Sequence, residues 1–287
     1  RIDWLGGLLL MAAAVVFMLV LTWGGNRYLW LSPVIIAMLG ASLALALAFV
    51  WHARNTDEPF LPLPLLGGRV VPYAMGAGGC GLGAMLGLTV HLPLYYDVVY
   101  HLSASEAGLA LIPLAAVSTG GAAIAGRTMA RARRYKWVAI IGTLCAALVA
   151  CVLALTVLPL WALLVLLSVF GFGLGTAFPI SVVSLQNSVA RSQVGTVTGA
   201  MNFFRALMAS FTVAAFSAIL LMALGADISL AGEHRGPVNS ISAADMVAAF
   251  RYVFAAAAAL LACASLCMVL MEERPLAGPA TPVEMAE

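Results

Sequence analysis

The sequence predicts an all-α, polytopic membrane protein, and three observations carry that reading. Of its 287 residues, 63% are hydrophobic and only 9% charged, whereas soluble domains carry about 25% charged residues. The apolar residues gather into runs near the ~20 residues that a membrane helix needs. Between two such runs, Gly126 to Lys136 packs five of the fourteen Lys+Arg residues. Lys and Arg resist transfer across a bilayer, so this cluster reads as a cytoplasmic loop. Nucleic-acid binding would need a basic patch on a folded face, so no nucleic-acid partner is expected.

Eight spans follow in order, at roughly 5–22, 31–51, 70–98, 107–126, 137–157, 160–185, 197–223 and 247–270. Backbone groups in lipid must be satisfied internally, which makes each span a helix. Barrel strands would show alternating segments of about ten residues, and these runs are unbroken. With the basic loop inside, Arg1, Arg54, Arg69, Arg127, Arg131, Arg133, Arg134, Lys136, Arg191 and Arg274 fall inside, against Arg27, Arg235 and Arg251 outside. That bias predicts cytoplasmic termini; the membrane is expected to be an inner or plasma membrane. Trp23, Tyr28, Trp30, Tyr95, Tyr96 and Tyr100 read as aromatic residues near the outer loops.

The first two spans, 1–55, form one unit. A linker at 56–69, with Pro59, Pro62 and Pro64, joins them to the six spans of 70–271. Those six divide as three plus three, although no sequence repeat marks the division. The longest outer loop is Gly225–Asp245, and the Pro-bearing tail 272–287 is expected to be disordered. The chain opens at Arg1 with no signal-peptide pattern and reads as a piece of a longer protein.

Few residues in this apolar setting offer chemistry. Cys80, Cys145, Cys151, Cys263 and Cys267 lie inside apolar runs and read as packing residues, with no metal site. Gly79 and Gly83, and again Gly171 and Gly175, have the spacing that lets helix backbones approach closely, for packing or for conformational change. Ionisable groups in a membrane are costly, which marks His91, Asp97 and Glu106 as candidates for a proton or substrate pathway; the plainer alternative for Asp97 and Glu106 is an ordinary interfacial position near the outer loop. Histidine is the side chain that titrates nearest neutral pH, so His91 with Asp97 forms a candidate proton-responsive pair; the plainer alternative bonds His91 to a backbone carbonyl. Arg205 lies within the seventh span, roughly 13 Å from its start. It is expected to snorkel, or to bond Gln186 or helix carbonyls, with Asn202 one turn earlier on the same face. G-x-S-x-G and H-E-x-x-H are absent, so no enzyme activity is expected.

Several stretches together resemble one family, the fourteen-helix drug:proton antiporters of the major facilitator superfamily. Asp3 to Leu9 resembles its D-x-x-G-x-x-L, with Asp3 and Gly6 in the fixed positions. Leu92 to Val99, then Leu102-Ser103 and Ala107 to Leu109, resembles the ninth-to-tenth helix connection, with Asp97 where Gln is usual. Gly126 to Lys136 resembles the second copy of the loop G-x-x-x-D-R-x-G-R-R/K, keeping Gly126, Arg131, Arg134 and the basic residues Arg127 and Lys136. Ala130 replaces its acid and Arg133 its second glycine. Gly171 to Gly175, Gln186 to Val189, Gly195 and Asn202 to Arg205 resemble the twelfth and thirteenth helices. Further on, Met208, Thr212 and Ala215 replace Gly, Gly and Val.

The resemblance implies helices seven to fourteen: a C-terminal six-helix bundle preceded by two extra helices. It implies a C-terminal portion of a proton-coupled multidrug exporter working by alternating access, powered by the proton gradient with no bound cofactor. The partners it implies are the lipid bilayer, an N-terminal six-helix half and a lipophilic, drug-like small molecule. The alternative is a non-transporting membrane scaffold that associates with another membrane protein.

Overall fold

The computed structural model describes residues 3–24, 27–56, 68–131, 134–224 and 242–273. Nine α-helices run through them: α1 Trp4–Trp23, α2 Pro33–Asn55, α3 Val71–Tyr100, α4 Ala104–Ala110, α5 Ile112–Arg131, α6 Lys136–Leu155, α7 Leu160–Asn187, α8 Val194–Ala223 and α9 Ala243–Leu270. Short α4 and α5 together make one span, so eight spans among the described residues are long and apolar enough to cross a membrane.

Local chemistry sets the helix ends. Asp3 caps α1, accepting from the Gly6 amide at 2.8 Å. A Cβ on Gly6 would strike the Asp3 carboxylate, which gives the Asp-x-x-Gly spacing a steric reason. Ser32 caps α2, with Pro33 at its first position, where a missing N–H costs nothing. The break at Leu111 precedes Pro113, which has no amide to donate to the preceding turn. Ser242 caps α9 by accepting from the Asp245 amide.

The six spans after the linker pack in a pattern that survives exchange of α3, α5 and α6 for α7, α8 and α9. α3 packs along α8 as α7 packs along α5; α3 meets α9 as α7 meets α6; α3 touches α7, and α6 packs on α9. This is the three-plus-three division in space. α1 packs on α2 and also touches α8. One core joins Leu88, Leu92 and Tyr96 to Phe170, Leu174 and Phe250; a second gathers Met75, Tyr135, Ile180, Met201 and Met268. Large apolar side chains such as Leu47, Trp51, Leu148, Trp161 and Leu266 point outward, as lipid contact requires.

Several expectations change. The basic stretch is not a loop throughout: α5 runs to Arg131, so Gly126, Arg127 and Arg131 are helical, and Lys136 opens α6. Gly126 faces open space and accommodates no neighbour. Tyr95 and Tyr96, in the last turns of α3, are buried in the protein, with Tyr95 packed against Phe250 and Phe254. The tail reading fails at its start, because Glu272 and Glu273 are held against the bundle. The remaining tail, most of the linker (57–67) and 225–241 lie outside the described residues.

Candidate transport-pathway site

The α3–α8 seam brings the intramembrane histidine to a partner. Glycines on α3 let the helices meet: a Cβ on Gly79 would touch Phe204 and Met208, one on Gly83 would strike the Thr212 hydroxyl, and one on Gly87 would touch Phe216. The backbone-to-backbone approach expected at Gly79 and Gly83 is met only in part. Gly79 makes room for side chains, and Gly83 for the Thr212 side chain together with the Met208 carbonyl. The reason is that α8 carries Met208 and Thr212 here, whose bulk keeps its main chain farther from α3. In this seam His91 is 6% exposed. Its Nδ1 lies 2.7 Å from the Gly87 carbonyl and its Nε2 lies 2.9 Å from Ser217 Oγ. A carbonyl only accepts, so Nδ1 carries a proton and donates. Neutral His91 therefore accepts at Nε2 from the Ser217 hydroxyl. Phe216 meets its ring edge-on at 6.2 Å.

Ser217 also lines a cavity of about 500 Å³. Leu86 and Val90 of α3, Ser210 and Val213 of α8, Thr22 of α1 and Trp30 form parts of its wall. Its size and mainly apolar wall suit a small lipophilic ligand. The plainer expectation for His91, a backbone carbonyl partner, is met, but the pairing with Asp97 is not formed. Six residues along α3 place Asp97 on a different face, where it is exposed. Glu106 is exposed too, and it closes a capping box: its carboxylate accepts from the Ser103 amide at 2.8 Å, while its own amide donates to Ser103 Oγ.

Arg205 occupies a second polar position. It lies eleven residues past the start of α8 at Val194, about 17 Å along the helix. Its guanidinium stacks on Phe178 of α7, 5.0 Å from the ring centroid, and its Nε is buried without a hydrogen-bond partner. The expected bond to Gln186 is replaced by this stack. Gln186 instead donates to Thr198 at 3.1 Å, tying the end of α7 to the start of α8. Asn202 is exposed.

Lys136 belongs to a latch at the opposite end of the bundle from Tyr100, the last residue of α3. Glu273 accepts from the Tyr135 and Lys136 amides at 2.8 and 3.1 Å, filling the open N-terminus of α6. Lys136 Nζ returns to the Val269 carbonyl at 2.7 Å and to the Met271 carbonyl, satisfying the C-terminus of α9. The Glu272 amide donates to the Arg69 carbonyl, at the entrance to α3.

The remaining glycines mark backbone crossings. On α7, Gly171 faces the Leu114 carbonyl and Gly175 the Ser118 carbonyl of α5, so closely that any Cβ would collide. Gly121 of α5 meets the Phe172 carbonyl in return, and Gly142 of α6 opposes Gly173.

The sequence profile of the Major Facilitator Superfamily matches residues 3–213. The chain belongs to that superfamily. The resemblance drawn from its motifs is borne out, and the chain is a multi-pass membrane protein. An uncharacterized MFS-type transporter of Mycobacterium tuberculosis is 31% identical over 77% of this chain and 32% of its own length. A tetracycline resistance determinant of Streptomyces rimosus is 28% identical over 75% of this chain and 63% of its own. Multidrug resistance protein 3 of Bacillus subtilis is 26% identical over 76% and 43%. The chain spans between a third and two thirds of the length of these relatives.

Within this superfamily chain, sequence reasoning missed Ser217, Phe178 and Glu273. Ser217 and Phe178 are ordinary helix residues, and nothing local marks them. Glu273 had a signal, a carboxylate just past an apolar run, but its partner lies 138 residues away.

Proposed function

We propose that this chain is the C-terminal portion of a proton-coupled exporter of lipophilic small molecules, working by alternating access with an N-terminal six-helix half. The observation that carries the reading is a pair of matching unpartnered faces. On α5, Gly120 has nothing near it, and Ala116 and Ala123 beside it are exposed. On α8, its counterpart under the exchange, Gly195 and Gly199 have nothing near them, and Asn202, Ala206 and Ser210 continue the exposed line. Small residues mark helix–helix contact in membranes, where close backbone approach replaces the hydrophobic effect. Two such faces at equivalent positions suit a second bundle rocking against this one. The names of the relatives support an efflux role. In this reading the Lys136 end of the bundle is cytoplasmic, and the proton gradient supplies the energy.

Efflux of the lipophilic cation ethidium tests it. The full product of the encoding gene is expected to lower cellular ethidium, and a protonophore to abolish the effect. Liposomes containing only the 287-residue chain are expected to show no proton-driven transport. Robust transport by that chain alone overturns the two-bundle reading. A longer product that moves none of a panel of lipophilic substrates, at normal membrane levels, favours the scaffold.

A further inference from the structure

We propose that the cavity between α1, α3 and α8 is a lipid slot: it holds one acyl chain of a phospholipid of the phosphatidylethanolamine type, whose phosphate meets Arg27 and whose ammonium meets Asp97. The first argument is the shape of the wall. On α8 the lining residues come in neighbouring pairs, from Ala209 and Ser210 to Leu221 and Met222, and the pairs recur every four residues. That recurrence draws a strip along one face of the helix, about 20 Å long at 1.5 Å per residue. One leaflet of a bilayer contributes about 15 Å of hydrocarbon, half of its ~30 Å core. The slot therefore has the length of a single acyl chain, and its wall is mainly apolar. Two of its hydroxyls are already engaged: Thr22 donates to the Met18 carbonyl at 2.8 Å, and Ser217 bonds His91. A chain lying there would give α1 on one side and α3 on the other the dispersion contacts that a gap between them forfeits.

The second argument is the chemistry at one end. Thr22, Gly24 and Met222 place that end of the slot where α1 and α8 finish, at Trp23 and Ala223. Trp30 covers Gly24 so closely that a Cβ there would strike its ring, and tryptophan is the side chain that favours the membrane–water boundary. Arg27 stands in the same turn. Its amide donates to the Trp23 carbonyl at 2.8 Å, and its exposed guanidinium lies over the rings of Trp23 and Tyr28. Across the slot, Leu86 and Val90 line it from α3. Asp97 follows them by eleven and seven residues, three and two helical turns to within about 20°. It continues their face about 10 Å beyond Val90 and is exposed. Neither Arg27 nor Asp97 makes an ion pair among the described residues.

A cation on one rim and an anion on the other match a zwitterionic headgroup. A guanidinium presents several donors to a phosphate. Asp97 offers only acceptors, which suits the N–H groups of ethanolamine. The choline headgroup has no N–H to donate, and phosphatidylglycerol brings a second negative charge toward Asp97 with no cation to answer it. Bound in this way, the lipid would tie the first two helices to the six-span bundle, which α1 otherwise meets along α8.

This inference needs the membrane placement of the chain and not its exporter activity, so the two readings fail separately. The full-length protein, washed free of lipid in dodecylmaltoside, is mixed with subsaturating phosphatidylethanolamine that carries a diazirine at the end of one acyl chain. After irradiation, labelled peptides are located by mass spectrometry. Label is expected on α8 around Ala209 to Val213 or on α3 at Leu86, well above the level at the outward-facing Leu148 and Trp161. Unlabelled phosphatidylethanolamine is expected to displace the slot label about threefold more effectively than phosphatidylcholine or phosphatidylglycerol, the scale of one exposed charge pair. Asp97→Asn is expected to remove the advantage over phosphatidylcholine, and Arg27→Ala to lower slot labelling about threefold. Ala214→Phe, which fills the slot, is expected to abolish labelling there and leave that at Leu148 unchanged. Arg27 and Asp97 are exposed, so their variants decide the matter even if Ala214→Phe does not fold. Label no denser in the slot than at Leu148 and Trp161 overturns the proposal. So does an ethanolamine preference that survives Asp97→Asn, and so does displacement by ethidium but by no phospholipid, which would assign the slot to the exported molecule.

Discussion

At the scale of single residues, the chain shows where a local cost is held in place and where it is relieved. His101 ends α3 with φ 55°, a left-handed conformation that costs an L-residue about 1–2 kcal/mol and glycine almost nothing. Its side chain is exposed, so little packing is lost on removal. His101→Gly is expected to raise the unfolding free energy by about 1 kcal/mol, seen as a higher thermal midpoint in detergent. Arg205 shows the opposite economy. Burial of its Nε is offset by stacking on Phe178, a contact that a guanidinium makes better than an ammonium. In the full-length protein, Arg205→Lys is expected to cut efflux about fivefold at matched membrane levels, the effect of about 1 kcal/mol of lost cation–π contact. Equal efflux from both proteins removes Arg205 from the pathway. Charge alone made Arg205 legible in the sequence; its ring partner was not, because Phe178 sits among many apolar residues on another helix.

At the scale of helices, the apolar runs were easy to read and their ends were not. A run of about 20 apolar residues identifies a membrane helix, yet α5 continues through Arg127 to Arg131, with no Gly or Pro after Gly126 to interrupt it. Charge placed those residues in a loop, whereas helix geometry merely requires them to project outward. The latch between α6 and α9 stayed hidden for a different reason: its members lie 138 residues apart in the chain. Glu273→Ala removes an acceptor from two amides, and a loss of about 1–3 kcal/mol is expected, measured by thermal or denaturant unfolding in detergent. Glu273→Gln, which keeps an acceptor, is expected to lose less than half of that. The glycines give a sharper contrast. Gly175→Ala drives a Cβ into the Ser118 carbonyl and is expected to cost about 1–3 kcal/mol. Gly126→Ala meets nothing and is expected to be neutral or stabilising by up to about 1 kcal/mol.

At the scale of the whole molecule, orientation rests on charge, with ten Lys and Arg residues assigned to one side and three to the other. Cysteines placed at exposed Arg131 and Arg27 check it. In intact cells an impermeant thiol reagent is expected to label Arg27→Cys and to miss Arg131→Cys, and the reverse pattern inverts every side assignment. The three-plus-three division expected from the span count gains its support only in space, because the two triplets repeat a packing pattern rather than residues. The two equivalent seams also differ in kind, and that difference has a mechanical meaning. Between α5 and α7, main chain lies on main chain: Gly171 and Gly175 sit against the carbonyls of Leu114 and Ser118. Sliding that seam by a fraction of a turn would bring side chains where no space exists, so close packing resists it. Between α3 and α8, by contrast, Gly79, Gly83 and Gly87 meet mainly the side chains of Phe204, Met208, Thr212 and Phe216, and several of these can rotate about their own bonds. That seam works as a bearing. Of the two seams, the one that side chains could accommodate by rotating is the one that carries His91.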